Sequence, residues 1–442
     1  MTTETPPAQG DTPGDDSEAG ARAPLTPGAN AGSTFYALGS PPYRVLWFNS
    51  FFMLTAVHLA FTAHAVVAYE LTGKNSSVGL LSFAIGAALL LTTPISGPIA
   101  DRMSKRLLLG LTESLIAVMG VALAVLLFTD ALTIELLIVA GFVFGAANSF
   151  FWPSITALMG DLVAEERQAN GAALFQVALN LTRSYAPFVG GALLAWQLVG
   201  FGGTYLVVAA IIVPAVICIA MTPRAILTHH AVRRGSMLSE MRLGVAHVFE
   251  NRRLKEVMLT FIIVILLGFS IMVVLPAYAK DVLGAGDAGF GIMFGMHAVG
   301  GLAAGLTVAS KSGSPSIKRY LFVSSLGLGA SVSLLGLMPN FAAGVAAIVL
   351  VGAFAGAFQT LVMAAILRAT TPVYFGRVMG LTNIGWGLNN LFGLGLGLFA
   401  DATSERAALV GIGGLIVVAS VGLALWSRGD AEVARANIEA GG

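Results

Sequence analysis

Apolar runs about one bilayer thick dominate the chain. They fall at about 45–71, 78–100, 106–129, 132–159, 170–198 and 204–222, separated by short polar or glycine-containing turns. After a polar stretch from Arg224 to Lys255, six more follow at about 256–279, 287–309, 319–338, 341–366, 377–400 and 405–427. Crossing ~30 Å of hydrocarbon takes about 20 apolar residues as a helix, the form in which one segment satisfies all its own backbone hydrogen bonds. The pattern predicts an all-α membrane protein of twelve transmembrane helices.

Glycines and polar residues repeat at an interval of about 210 positions. Gly141 and Gly145 return as Gly352 and Gly356, Gly171 as Gly380, Asn180 as Asn389, and Ala100-Asp101-Arg102 as Ala309-Ser310-Lys311. Six spans copied in the same orientation predict two pseudo-symmetric six-helix bundles about an axis along the membrane normal, with a site between them near the midplane.

The chain thus divides into a disordered cytoplasmic tail (1–40), a first bundle (41–222), a cytoplasmic linker (223–255), a second bundle (256–427) and a cytoplasmic tail (428–442). In the first tail Glu4, Asp11, Asp15, Asp16 and Glu18 outnumber Arg22, and no basic start or apolar core marks a cleavable signal. In the linker, Leu238, Met241, Val245 and Val248 follow helical spacing, with Ser236 placed to cap a short amphipathic helix. A partly ordered tether is the alternative.

Composition agrees. The chain is 56% hydrophobic and 11% charged, and its net charge of +1 excludes a nucleic-acid partner driven by bulk electrostatics. Where the charges sit matters more. Of the 24 Lys and Arg, Lys74, Lys280 and Arg406 fall on one side of the predicted topology, Arg183 falls inside a span, and the rest share the other side. Basic loops stay cytoplasmic, so both termini are expected inside a cell (inner) membrane. Cys218, the single cysteine, lies in an apolar helix and is read as packing.

The most specific motif is GPIADRMSKR, in the turn between the second and third spans. Gly97 lets two backbones approach, Asp101 can face a helix N-terminus, and Arg102, Lys105 and Arg106 can pair with acids in one conformation only, which makes a conformational latch. A merely topogenic basic loop would need no Asp. Ser310 replaces the acid in the second half.

This loop resembles the signature of the major facilitator superfamily, and the resemblance covers residues 41–427. Tyr69-Glu70-Leu71-Thr72-Gly73, Asp161-Leu162-Val163 with Glu165 and Glu166, Pro187 with Gly190 and Gly191, and Gly376-Arg377-Val378-Met379 look like the drug-proton antiporter branch that includes macrolide and siderophore (enterobactin-type) exporters. The resemblance implies efflux of small amphipathic molecules, with proton entry as the driving force and no cofactor. It also implies that the first and fourth helices of each half line the cavity. The chain departs from that branch in its first span, which reads Thr55-Ala56-Val57-His58-Leu59-Ala60-Phe61 where relatives often carry an acid.

Ionisable groups within spans are costly and tend to face a cavity or a partner. Glu113, His58 and Arg183 are the proton-coupling candidates, with His64 and His297 as further titratable groups. Arg183 and His58 lie about 20 Å from their cytoplasmic ends and Glu113 about 12 Å, so Arg183 and Glu113 meet only obliquely. Arg183 alternatively bonds carbonyls near Gly190 and Gly191, Glu113 pairs with the basic end, and the histidines pack.

Polar stripes give the cavity candidates: Thr55, His58 and Thr62; Asn148 and Trp152; Asn180; Gln359 beside Met363; and Asn383, Trp386 and Asn390. Each alternatively makes interhelical hydrogen bonds. Glycines four apart, Gly291 with Gly295, Gly301 with Gly305 and Gly393 with Gly397, read as sliding seams.

An ATP-driven pump is excluded because Gly73-Lys74 lacks the glycine five residues earlier that a phosphate loop needs, and no HExxH or nucleophile pattern suggests an enzyme. The expectation is a monomeric secondary transporter in the lipid bilayer carrying a small molecule. The alternatives are uptake or uncoupled facilitation and, in another class, a non-transporting receptor or assembly partner.

Overall fold

The computed structural model describes residues 34–223, 237–311, 314 and 316–440. The first half contains α1 (Pro41–Glu70), α2 (Asn75–Arg102), α3 (Lys105–Phe128), α4 (Ile134–Leu162), α5 (Glu165–Ala195) and α6 (Gly200–Met221). A linking helix, α7 (Met237–Glu250), leads to the second half. This comprises α8 (Arg252–Gly268), the single turn α9 (Leu275–Ala277), α10 (Ala288–Ala309), α11 (Ile317–Gly336), α12 (Phe341–Ala369), α13 (Pro372–Ala402) and α14 (Glu405–Ala440).

Local chemistry sets the boundaries. Ser104, Thr133, Asn251 and Asn340 each accept a backbone N–H near the start of α3, α4, α8 and α12, supplying donors' partners that the first turn lacks. Gly73 turns the chain between α1 and α2 with φ of 64°.

Among the described residues, ten helices are long and apolar enough to cross a membrane. α5 and α13, 31 residues each, are as long but fall outside that set. Both pack at the junction of the halves, α5 on α10 and α13 on α2, so less of their surface has to satisfy lipid. The seventh crossing is discontinuous. α8 ends at Gly268, a 3₁₀ turn covers Ser270–Val273, and Pro276 precedes a π turn at Tyr278–Val282. An unbroken 256–279 helix was the expectation, and Pro276, which lacks an N–H and clashes with the preceding turn, accounts for part of the break.

The repeat is visible in the packing. α2 on α4, α3 on α6 and α1 on α5 recur as α10 on α12, α11 on α14 and α8 on α13. The repeated glycines do the same work: a Cβ on Gly145 would come within 2.3 Å of the Ile85 carbonyl oxygen, and one on Gly356 within 2.1 Å of the Gly301 carbonyl oxygen. Any side chain there would push the paired helices apart.

Residues 36–39, placed in the tail by sequence, form a 3₁₀ turn docked on α5: Ala37 N–H donates to Asn170 Oδ1 at 2.8 Å and Arg167 lies 4.4 Å from the Tyr36 ring centre. The acids and Arg22 of that tail, and Ser236 of the linker, lie outside the described residues. α7 packs on the start of α13, where His247 stacks on Tyr374 at 4.1 Å. α14 continues beyond residue 427 into the expected tail.

Candidate functional site: a cavity between the two halves

The halves meet along two antiparallel seams. In one, α5 crosses α10 so closely that a Cβ on Gly291 would stand 2.4 Å from the Pro187 carbonyl oxygen. In the other, a Cβ on Gly79 of α2 would stand 2.8 Å from the Gly393 carbonyl oxygen of α13. All these contacts lie toward the end where α1 passes into α2. Toward the opposite end, Leu91 and Ile95 of α2 are exposed, and neither Gly97 nor Gly380 has an atom within 4 Å of a built Cβ.

The closed end is also locked by polar contacts between halves. Lys280 pairs with Glu70 of α1 and with Asp287 at 3.1 Å, and Tyr69 donates to Asp281. Asp401 of α13 accepts the backbone N–H groups of Asn75 and Ser76 at 2.7 and 2.9 Å, and Glu405 accepts from Asn75 Nδ2 at 2.8 Å. Burial works against the charge on Asp401, yet the donors of Ser76 and Asn75 hold its carboxyl below the usual carboxylate range. Lys280 likewise loses hydration, but hydrogen bonds to Glu70 and Asp287 raise it above the ordinary lysine value.

Beneath this lock a cavity of about 480 Å³ opens between the halves, within the range of drug-sized sites. Its walls are Gln176, Asn180, Arg183 and Ser184 of α5, the α10 face from His297 to Leu306, the α12 face from Gly352 to Met363, and Phe269 at the break in span seven. Phe269 stands edge-on to Trp386, with ring centres 4.9 Å apart, and faces His297 at 6.3 Å.

Of the residues singled out by sequence, Asn180, Arg183, Gln359 and His297 meet on this wall. α1 and α4 contribute none of its lining. Thr55 shares a 2.6 Å hydrogen bond with Tyr185 of α5, Thr62 packs beneath Gly190, and His58 Nδ1 bonds the Leu54 carbonyl at 2.8 Å. α5 thus fastens to α1 through the very residues the stripe pattern assigned to the cavity. Asn148 Nδ2 donates to the Phe144 carbonyl, and Trp152 lies edge-on to Phe175. Asn383 is exposed, and Asn390 sits in the α2–α13 seam against Gly86. Gln176, Ser184 and Thr360 were missed, although the first two share a helical face with Asn180 and Arg183.

Glu113 is fully buried inside the first bundle, away from this cavity. Asn49 Nδ2 donates to its Oε1 at 2.8 Å and to the Ala215 carbonyl, while Oε2 has no partner. In the signature loop, Lys105 pairs with Asp161 at 2.5 Å, and Arg106 donates to the Ala220 carbonyl. Both partners belong to the same half. Arg102 is exposed, and the Asp101 side chain lies outside the described residues.

A model of the family described as transmembrane secretion effectors matches residues 32–426. The enterobactin exporter EntS of Escherichia coli O1:K1 / APEC is 24% identical over 370 residues, covering 81% of this chain and 83% of that protein. The protein of the same name from Citrobacter koseri is 24% identical over 396 residues, covering 86% and 90%. Among solved structures, the nucleoside transporter NupG matches with a TM-score of 0.68 at 16% identity, over 87% of this chain and 98% of that one. A bacterial homologue of the human lysosomal transporter Spinster, inward-facing and unoccupied, matches at 0.67 and 15% identity, over 87% and 95%. At such identities the structures share the fold alone.

Proposed function

The chain belongs to the transmembrane secretion effector family of the major facilitator superfamily and is a multi-pass membrane transporter rather than an enzyme; from that premise we propose that it exports small amphipathic molecules by alternating access, driven by proton entry. One observation supports alternating access above the rest: both seams between the halves are shut at one end and parted at the other, with a cavity in the opening. The distribution of Lys and Arg puts the shut end outside, so this is the inward-facing state, and both termini are cytoplasmic.

Export by proton exchange needs a titratable group whose surroundings change with the cycle. Glu113 or His58 fills this role in our reading, and Arg183 shapes the electrostatics of the cavity. Glu113 Oε2 is free to hold a proton, and Asn49 ties that carboxyl to α1, the helix that carries Glu70 to the outer lock. The signature loop, with Lys105 joined to Asp161, holds the inner ends of α3 and α4 as one block while the halves rock. The EntS relatives bear an exporter's name at 24% identity, which favours outward cargo movement.

The test is flux in proteoliposomes of the purified protein under an imposed pH gradient, with internal pH followed as amphipathic compounds are added. Substrate-dependent proton movement that the combined Glu113→Gln and His58→Ala replacement removes is the expected result. Substrate movement without proton movement makes the protein a facilitator and overturns the coupled reading.

A further inference from the structure

Arg183 is the one fully charged side chain on the cavity wall, and no Asp or Glu stands there among the described residues. It makes no ion pair or hydrogen bond to any described residue. Glu113, the one fully buried acid of the described residues, is engaged by Asn49 inside the first bundle. A guanidinium that is partly exposed on the wall of a cavity within the spans, with no counter-charge, carries a desolvation cost that no protein group offsets.

The opposite wall also carries an unpartnered polar atom. His297 of α10 is buried, lines the cavity, and its Nδ1 has no partner. His297 lies within electrostatic reach of Arg183, and the remaining polar lining is neutral amide and hydroxyl, so Arg183 is the only full charge on the wall among the described residues. Asn180 and Gln359 add amide donors on either side, whereas Phe269 and Met363 offer an apolar surface. A planar fork of N–H donors facing open space is suited to a carboxylate, sulfonate or phosphate oxygen pair.

We propose that the cargo of this transporter is an organic anion, held at mid-cavity by a bidentate Arg183 with its apolar body against Phe269 and Met363. The inference rests on the cavity being the cargo site and adds the charge of what it takes. Binding of the anion supplies the counter-ion that Arg183 lacks. A neutral or cationic cargo of the same shape leaves the guanidinium unpaired, and a cation also meets direct repulsion.

The test is equilibrium binding to the full chain in lipid nanodiscs, followed by tryptophan fluorescence against empty nanodiscs. The probes are 2-naphthalenesulfonate, 2-naphthalenesulfonamide and 2-naphthylmethylammonium, which share one apolar body. The sulfonate is expected to bind at least about tenfold more tightly than the sulfonamide, as a charge-assisted bidentate contact requires. Arg183→Gln should reduce the sulfonate to the level of the sulfonamide, and Arg183→Lys should restore part of the preference, with unchanged melting curves showing that both variants fold. Equal binding of all three probes, absence of sulfonate binding, or a preference that survives in Arg183→Gln overturns the proposal. Binding needs no transport, so a sulfonate preference without flux in proteoliposomes refutes export while the anion site stands. Proton-driven flux of uncharged compounds with no sulfonate preference does the reverse.

Discussion

Asp401 of α13 receives the backbone N–H of Asn75 at 2.7 Å, so a carboxylate from one half caps a helix of the other. The residue at the cap position of α2 itself, Lys74, provides no side-chain acceptor. The first N–H groups of α2, with the positive end of its dipole, therefore have a carboxylate cap only while the two halves touch here. Opening this end uncaps a helix as well as breaking ion pairs.

Asp401→Ala should consequently shift the protein toward the state open at this end. A lost cap is worth about 1 kcal/mol, or about fivefold in population. The measurement is maleimide labelling of Ser82→Cys, which packs within the seam against Gly393, in a Cys218→Ser background. Labelling that stays at the parental rate would mean the cap contributes nothing to closure.

The pH dependence of closure follows from the two shifted groups of the lock. The carboxyl of Asp401 is lowered by closure, so its contribution is complete above the ordinary value of about 3.9 and is lost as pH falls through the lowered one. Lys280 is raised, so its contribution is complete below about 10.4 and is lost as pH rises through the raised value. The contribution of these two groups to closure should therefore hold level from about pH 5 to 9, so a change in labelling rate within that window, after correction for thiolate content, is assigned to groups outside the lock.

Gly291→Leu should wedge the α5–α10 seam, since even a Cβ there meets the Pro187 oxygen at 2.4 Å. Transport should fall to background while the protein still inserts and resists heat, because the halves remain folded and fail only to meet. Distance measurement by spin labels across the outer end should report a wider separation than in the parent.

Lys105 and Asp161, both largely buried at 2.5 Å, should behave as one unit. Asp161→Ala strands the Lys105 ammonium, and adding Lys105→Ala to it should lower the melting point no further. Additive losses would show that the two side chains act independently.

Asn49→Ala should destabilise the first bundle by about 1 to 3 kcal/mol, because it leaves both oxygens of Glu113 unpartnered in an apolar interior. Adding Glu113→Leu should recover part of that loss in thermal denaturation. A further drop instead would assign Glu113 another structural partner.

Hydropathy made the crossings legible, and the glycine repeat made their duplication legible, because both are written locally. α5 and α13 were read as apolar runs with the rest, at 170–198 and 377–400, although each is more polar than its neighbours. Arg183, Asn180 and Gln359 were found as isolated polar residues in apolar helices, and Gln176 and Ser184 were within reach of the same helical-face argument. The placement of Thr55 and Thr62 was not, because a stripe on α1 reads alike whether it faces a cavity or the hydroxyl of Tyr185. Nor was the outer lock: Asp401 and Asn75 are 326 residues apart, and Glu70 and Lys280 210 apart, so their meeting depends on the docking of the halves.

The break in span seven divides that crossing into two levers on a pivot at Phe269. The inner lever is pinned, since Asn389 Nδ2 clasps the Ile265 carbonyl at 2.8 Å. The outer lever carries Lys280, and its irregular turns can swing without dragging α8 behind them. Phe269 thus belongs at once to the cavity wall and to the break in this crossing, so one side chain joins the walls of the cavity to the arm that carries Lys280.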